Sequence, residues 1–142
     1  MRCLIDTNIL ISAALFPESV PMKAFAKAVS PPHNAVVCDY SMDEMRRVFN
    51  RKFPHRIMDF ERFVSTMALS VQIVAAPPIE ESVESEERIR DLNDWPIFRA
   101  AVAAEVDAIL TGDKDFLESG IEYPKMIAAA VFCRMGRPDR DE

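Results

Sequence analysis

Short apolar runs, lacking the polar alternation of a half-exposed strand, recur along the chain. They are three to five residues long: Arg2–Ile5, Ala35–Cys38, Val71–Ala75 and Ala108–Leu110, with Lys125–Ala128 as a fifth candidate. A strand that is covered by helices on both faces has such a continuous apolar run. The pattern therefore predicts a parallel sheet of four or five strands, each buried on both faces.

Apolar residues at helical spacing fill the intervals between these runs. They predict helices at Val20–Val29, Ser41–Phe53, Phe60–Leu69 and Trp95–Glu105. Ser41 and Glu44 have the spacing of a capping box at the start of the second helix, and Asp94 is a suitable N-cap for the fourth. Strands that alternate with crossovers long enough for helices predict an α/β/α sandwich.

Length and composition are those of one soluble globular domain. The 142 residues, of which 49% are apolar and 28% charged, suit one core, and we expect residues 1–142 to form a single domain. The longest apolar stretches, Ile9–Phe16 and Met126–Cys133, fall short of the roughly 18 residues that a membrane span needs. The three cysteines lack metal-ligand spacing, so we expect a cytoplasmic protein with no membrane partner.

The charge is unevenly distributed. Seventeen Lys and Arg against 23 Asp and Glu give a net charge of −6, which disfavours coating of nucleic acid by bulk charge but permits a local basic patch. Five basic residues within an acid-free stretch form such a patch: Arg46, Arg47, Arg51, Lys52 and Arg56. They are suited to contact phosphates, although an ordinary solvated helix face has the same composition. We interpret the acidic run Glu80–Glu87 as a solvated loop or helix face.

Acidic residues occupy positions next to the ends of the predicted strands. Asp6 follows the first strand, Glu44 lies in the first turn after the second, Asp94 opens the helix that leads to the fourth, and Asp113 follows the fourth. In an open parallel sheet, ligands bind beyond the carboxyl ends of the strands, where strand order reverses. If the first and fourth strands are neighbours there, the four carboxylates converge. Crowded carboxylates need cations, and an all-oxygen set suits Mg²⁺ or Mn²⁺.

Each acid also has a structural explanation. Asp94 serves as a helix cap, Glu44 completes a capping box, and Asp113 with Asp115 fits a turn. Asp6 is harder to explain in this way, because it stands between buried apolar segments where an unpaired charge is costly. Four acids at strand ends together favour a metal centre.

Three blocks of sequence together resemble a PIN domain. They are "LIDTNILISAAL", "YSMDEMRRVFNRKF" and "IRDLNDWPIFRAAVAAEVDAILTGDKDFL", and the similarity covers nearly the whole chain. It is greatest to the small prokaryotic toxins of toxin–antitoxin pairs, the relatives of the VapC ribonucleases. The resemblance implies strand order 3-2-1-4-5 and a Mg²⁺- or Mn²⁺-dependent endoribonuclease acting on single-stranded or looped RNA. It also implies a homodimer and a cognate antitoxin protein as partner.

The resemblance assigns roles to individual residues. The acidic quartet of the family corresponds to Asp6, Glu44, Asp94 and Asp113, all as catalytic residues and metal ligands, and its supporting polar positions correspond to Asn8, Thr111 and Asp115. The chain departs from the family at Trp95–Pro96, where an acid or small residue is common, so we expect Trp95 to narrow or reshape the substrate cleft. It departs again at Glu105–Val106, where Gly is common.

Other reaction classes fit the sequence less well. A metal-free ribonuclease needs a pair of acid–base histidines, and we interpret His33 and His55, each beside a proline, as surface residues. A haloacid-dehalogenase-like phosphatase requires a second Asp where Asn8 stands, and a phospho-acceptor receiver domain requires paired acids where only Asp6 is present. The main alternative is a catalytically silent PIN module that binds RNA or a protein partner.

Overall fold

Five parallel strands form the sheet that the apolar runs predict. The computed structural model describes residues 1–79 and 85–136. Its strands are β1 (Arg2–Ile5), β2 (Asn34–Cys38), β3 (Gln72–Val74), β4 (Ala108–Leu110) and β5 (Lys125–Ile127). They pair in the order β3-β2-β1-β4-β5. The predicted fold class and strand order are therefore confirmed, and the order reverses between β1 and β4.

Helices cover both faces of the sheet. The described residues contain α1 (Thr7–Leu15), α2 (Val20–Ala28), α3 (Asp39–Lys52), α4 (Ile57–Met67), α5 (Trp95–Ala103), α6 (Lys114–Leu117) and α7 (Ala129–Arg134). Short 3-10 helices lie at Pro54–Arg56, Glu86–Arg88 and Leu92–Asp94. The four predicted helices are present with ends shifted by up to three residues. The sequence pattern missed α1 because most of its residues are buried, so it has no polar face to reveal a helical period.

The start of α3 differs from the prediction. The helix begins at Asp39, with Cys38 at the N-cap position and no side-chain cap. Ser41 is buried in the first turn, where its hydroxyl oxygen accepts a hydrogen bond from Thr7 Oγ1 at 2.9 Å. The predicted capping box is therefore wrong, and capping no longer explains Glu44.

The core lies on both faces of the central strand β1. Successive residues of a strand point to opposite faces, and accordingly Cys3 and Ile5 join one buried cluster while Leu4 joins the other. The edge strand β3 departs from the predicted burial, since Gln72 and Ile73 are exposed. β3 lies at the edge of the sheet and pairs with β2 alone.

The acidic run before α5 contains a buried ion pair. Residues 80–84 lie outside the described part of the chain, but Glu86 is buried and accepts two hydrogen bonds of 2.8 Å from Nε and Nη2 of Arg99. The interpretation of this run as solvated is wrong for Glu86. Arg99 lies on the buried face of α5, where a guanidinium requires a carboxylate partner.

Within residues 1–79 and 85–136, no single helix is long and apolar enough to cross a bilayer. The consecutive helices α1 and α2 reach that length only as a pair, and the pair is bent by 113°.

Candidate metal centre

Asp6 is fixed where β1 ends and α1 begins. Its backbone N–H donates to Leu110 O at 2.9 Å, which ties the end of β1 to β4. Its Oδ1 accepts from the backbone N–H of Thr7 at 2.8 Å and its Oδ2 from the hydroxyl of Thr111 at 2.7 Å. The side chain is 3% exposed. Burial raises the pKa of Asp6 to about 7, and the nearby charges of Asp113 and Glu44 act in the same direction against the two hydrogen bonds.

Asp94 is not a helix cap in the structure. It stands at the N-cap position of α5 but has helical backbone angles, and its side chain makes no capping bond. The residue is 7% exposed, and its Oδ2 has no hydrogen-bond partner among the described residues. Burial raises the pKa of Asp94 to about 9, and the adjoining carboxyl groups of Asp113, Asp6 and Asp91 raise it further. The structural explanation that the sequence offered for Asp94 is therefore wrong.

Asp113 and Asp115 are ordered by the turn that follows β4. The backbone N–H of Asp113 donates to Thr111 Oγ1 at 3.0 Å, and that of Asp115 donates to Asp113 Oδ1 at 2.8 Å. Thr111 thus joins the loops that carry Asp6 and Asp113. Asp115 also pairs with Arg90, whose Nε lies 2.9 Å from Oδ1. Asp113 therefore stabilises the turn, as the sequence analysis allowed, and its carboxylate also lies close to that of Asp94.

Four carboxylates converge at this point. One oxygen from each of Asp91, Asp94, Asp113 and Asp115 lies within 4.8 Å of the other three, and we call this group the acid cluster. Sequence reasoning named three of the four residues and missed Asp91. The signal that could have identified Asp91 is its position three residues before Asp94. Asp91 is the N-cap of the 3-10 helix Leu92–Asp94, and its Oδ1 accepts a hydrogen bond from the backbone N–H of Asn93 at 2.9 Å.

The acid cluster fits a divalent cation of the Mg²⁺ type. All of its donors are carboxylate oxygens, which hard cations prefer. Asp94 Oδ2 is buried within this group without a hydrogen-bond partner in the described ranges, and such an oxygen is costly unless a cation or a proton neutralises it. Asp6 adjoins the cluster, since its charge contributes to the raised pKa of Asp94.

Glu44 lies outside the acid cluster, on the wall of an adjacent groove. This α3 groove has a volume of about 330 Å³, and its walls include Asn8, Tyr40, Glu44, Arg47, Arg51 and Asn93. The charge of Glu44 contributes to the raised pKa of Asp6, so Glu44 faces the acids from the α3 side. The structure thus brings the predicted quartet to one edge of the sheet, with Glu44 set apart from the tightest group.

The predicted basic patch is divided between different surroundings. Arg47 and Arg51 line the α3 groove. Arg46 lies over the ring of Phe60, 5.5 Å from its centroid. Lys52 is exposed at the end of α3. Arg56 pairs with Asp59 and donates from Nη2 to Leu15 O at 2.9 Å, so it links the start of α4 to the end of α1.

The two histidines lie away from the acids. His33 precedes β2, at the edge of the sheet opposite the acid cluster, and packs against Phe132 with ring centroids 5.2 Å apart. It is partly buried, so its interpretation as a surface residue holds only in part. His55 is exposed, as expected.

Trp95 braces the segment that carries Asp91 and Asp94. Its indole N–H donates to Ile89 O at 2.8 Å, and its ring packs against the core beside α5. It is absent from the residues that line the α3 groove. The expectation that Trp95 narrows or reshapes the substrate cleft stays a prediction, and in the structure its indole holds the preceding loop.

Comparisons with known proteins identify the family of the chain and agree with its fold. The family model described as PIN domain matches residues 2–115. The fold is similar to that in the crystal structure of VapBC2 from Rickettsia felis bound to a DNA fragment from the promoter, with a TM-score of 0.67, 15% identity, and coverage of 90% of this chain and 98% of that chain. It is also similar to VapC20 of Mycobacterium tuberculosis, a toxin that cleaves the sarcin–ricin loop, with a TM-score of 0.59, 15% identity, and coverage of 84% and 95%. No curated protein sequence matches the chain.

Proposed function

The chain belongs to the PIN domain family, and we propose that it is a metal-dependent endoribonuclease that serves as the toxin of a toxin–antitoxin pair. The observation that carries the nuclease proposal is the buried Oδ2 of Asp94, which lacks a partner in the described residues and stands among three other carboxylates. A buried carboxylate oxygen in such company requires either a proton or a cation to offset its charge.

Asp6, Asp94 and Asp113 are the proposed metal ligands, with Glu44 as a further ligand or as the group that would orient the attacking water. Asp91 and Asp115 complete the charge of the site. A Mg²⁺ or Mn²⁺ ion held by these acids would activate a water molecule at neutral pH and would stabilise negative charge on the phosphate. Thr111 holds Asp6 and Asp113 in register through its two hydrogen bonds, and Arg47 and Arg51 bind phosphates beside the cleaved bond.

The toxin proposal rests on resemblance. One similar structure is a VapBC2 assembly on promoter DNA, and the other is described as a toxin that cleaves the sarcin–ricin loop. By analogy, RNA is the substrate, an antitoxin protein is a partner, and the chain forms a homodimer. Light scattering on the purified chain measures the dimer directly. Induced expression in a bacterial host should arrest growth for the wild type and not for Asp94→Asn.

The nuclease proposal is tested with labelled single-stranded RNA and clean protein. We expect cleavage with Mg²⁺ or Mn²⁺, none in EDTA, and a loss of at least about a hundredfold in Asp94→Asn. The matched control is Asp43→Asn, the same substitution at an exposed position of α3, which should cleave like the wild type. Undiminished cleavage in EDTA would contradict the mechanism. Binding of RNA without cleavage at any metal concentration would instead indicate a silent PIN module.

A further inference from the structure

We infer that the α3 groove is a nucleobase site, in which the ring of Tyr40 stacks on one base of the RNA strand while Asn93 and Asn8 face the edge of that base. This inference rests on the proposed ribonuclease function and adds to it the position of the substrate beside the cleaved bond.

The groove follows one face of α3. Tyr40, Glu44, Arg47 and Arg51 are spaced by four, three and four residues, so they form one stripe along the helix. The stripe is about 16 Å long, at about 1.5 Å per residue. Asn8 of α1 and Asn93 also line the groove. A strand lying in the groove would therefore meet an aromatic ring, a carboxylate and two guanidinium groups in sequence.

The chemistry of the groove suits a base and its phosphates better than an apolar ligand. Tyr40 is half-buried, and its hydroxyl lies 3.5 Å from Asn93 Oδ1, so the ring stands beside the segment that carries Asp94. The guanidinium of Arg47 lies 5.7 Å from the ring centroid. Aromatic rings flanked by arginine are a common support for unpaired bases, because every base presents a π face. The volume of about 330 Å³ is at the lower end for small-molecule sites.

The position of Tyr40 relative to the acids identifies which base it holds. The Tyr40 hydroxyl lies beside Asn93, the residue that precedes Asp94, and the Arg47 guanidinium lies over the Tyr40 ring. Tyr40 therefore adjoins both the segment that carries Asp91 and Asp94 and the first of the two arginines. With the cleaved phosphate at the acids and a neighbouring phosphate at Arg47 or Arg51, the base on Tyr40 belongs to a nucleotide that adjoins the cleaved bond.

The experiment measures binding without cleavage. Fluorescence anisotropy in EDTA at low salt compares a labelled oligoribonucleotide with a strand of the same length in which every nucleotide is abasic. The wild type should bind the intact strand about tenfold more tightly, the scale of one base–aromatic stack. Tyr40→Ala should lose this preference, whereas Tyr40→Phe, which keeps the ring, should retain it. Tyr123→Ala is the matched control, because Tyr123 is the other tyrosine of the chain and is 64% exposed outside the groove.

Two outcomes would overturn the inference: equal binding of both strands by the wild type, or an unchanged preference in folded Tyr40→Ala. Asn93→Ala offers a second variant that leaves the ring in place, and it should alter which of the four homopolymers binds best. Failure of the proposed function is distinguished by a cleavage assay in Mn²⁺ on the same strands. Base-dependent binding without cleavage would support the nucleobase site and contradict the proposed ribonuclease function. Cleavage without base-dependent binding would support the ribonuclease function and contradict the nucleobase site.

Discussion

At the scale of single residues, the carboxyl group of Asp94 is the most informative part of the acid cluster, because it is buried among other carboxylates. Its raised pKa, about 9, means that the folded, metal-free protein holds a proton there more tightly than the unfolded chain, whose value is near 3.8. Asp6, at about 7, behaves in the same way. The stability that these acids contribute is fully present below pH 3.8 and is lost as pH rises through 7 and then 9.

Asp94→Asn replaces the ionisable group with a neutral one of the same shape. In EDTA at pH 8.5 we expect this variant to be more stable than the wild type by at least about 1 kcal/mol, the scale of one pKa unit. The difference should shrink toward pH 5 and should narrow or reverse with saturating Mn²⁺, because the wild type binds metal more tightly. Thermal melts of both proteins, with Asp43→Asn as control, measure these differences. A variant less stable than the wild type at pH 8.5 in EDTA, with a gap unchanged by Mn²⁺, would contradict the electrostatic account.

Thr111 offers a second test at this scale, because one hydroxyl serves two acids. Thr111→Val keeps the shape but removes the donor to Asp6 Oδ2 and the acceptor for Asp113 N. We expect a loss of about 1–3 kcal/mol in stability and a fall in cleavage rate of at least about tenfold. Thr66→Val on the exposed face of α4 is the control and should change neither. Thermal melts measure the change in stability, and initial rates measure the change in cleavage. Full activity in Thr111→Val would show that Asp6 does not need the hydrogen bond from Thr111.

At the scale of elements, the segment before α5 determines where two acids stand. Glu86 pairs with Arg99 in the interior, and Trp95 donates to Ile89 O within the same segment. These contacts hold the backbone from residue 86 to residue 94 against α5. The acid cluster therefore depends on an ion pair that is remote from the chemistry.

Arg99→Met tests this dependence. Removing the guanidinium that pairs with the buried carboxylate of Glu86 should cost about 3–5 kcal/mol, whereas the double variant Glu86→Leu with Arg99→Met should recover much of that loss. Urea denaturation measures both, and the cleavage rate should follow the stability of the segment. If the single variant were as stable as the wild type, the segment would be held by other contacts.

At the scale of the whole molecule, the proposed RNA substrate is a polyanion, and the chain that would bind it is itself acidic. The net charge is −6, and of the five basic residues in the predicted patch only Arg47 and Arg51 line the α3 groove. Long-range attraction is therefore weak, and binding relies on the groove itself.

The salt dependence of RNA binding follows from this count. Two neutralised phosphates predict a slope of about −1.4 in log affinity against log salt for a single strand. Arg47→Ala and Arg51→Ala should each flatten the slope, and Arg46→Ala, whose side chain lies over Phe60, should leave it unchanged. A titration at several salt concentrations measures this. A much steeper slope that depended on Lys52 or Arg46 would place the strand on another face of α3.

The sequence by itself determined the sheet and the edge at which the acids gather. Strands buried on both faces, such as Arg2–Ile5, are apolar throughout, and their parallel pairing brings the residues after each strand to one edge. That is why Asp6 and Asp113 were identifiable without coordinates. The strand order came from resemblance to a family, because apolar runs do not encode which strands are neighbours.

Tertiary structure alone decided what each charged side chain does. Whether Asp94 caps a helix or points into a cluster, and whether Arg56 binds a phosphate or the carbonyl of Leu15, depends on the rotation of a helix and on contacts with residues far away in sequence. The place of Asp91 in the acid cluster and the burial of Glu86 also depend on contacts with residues far away in sequence. Burial and charge pairing are properties of the packed chain, and a local pattern does not contain them.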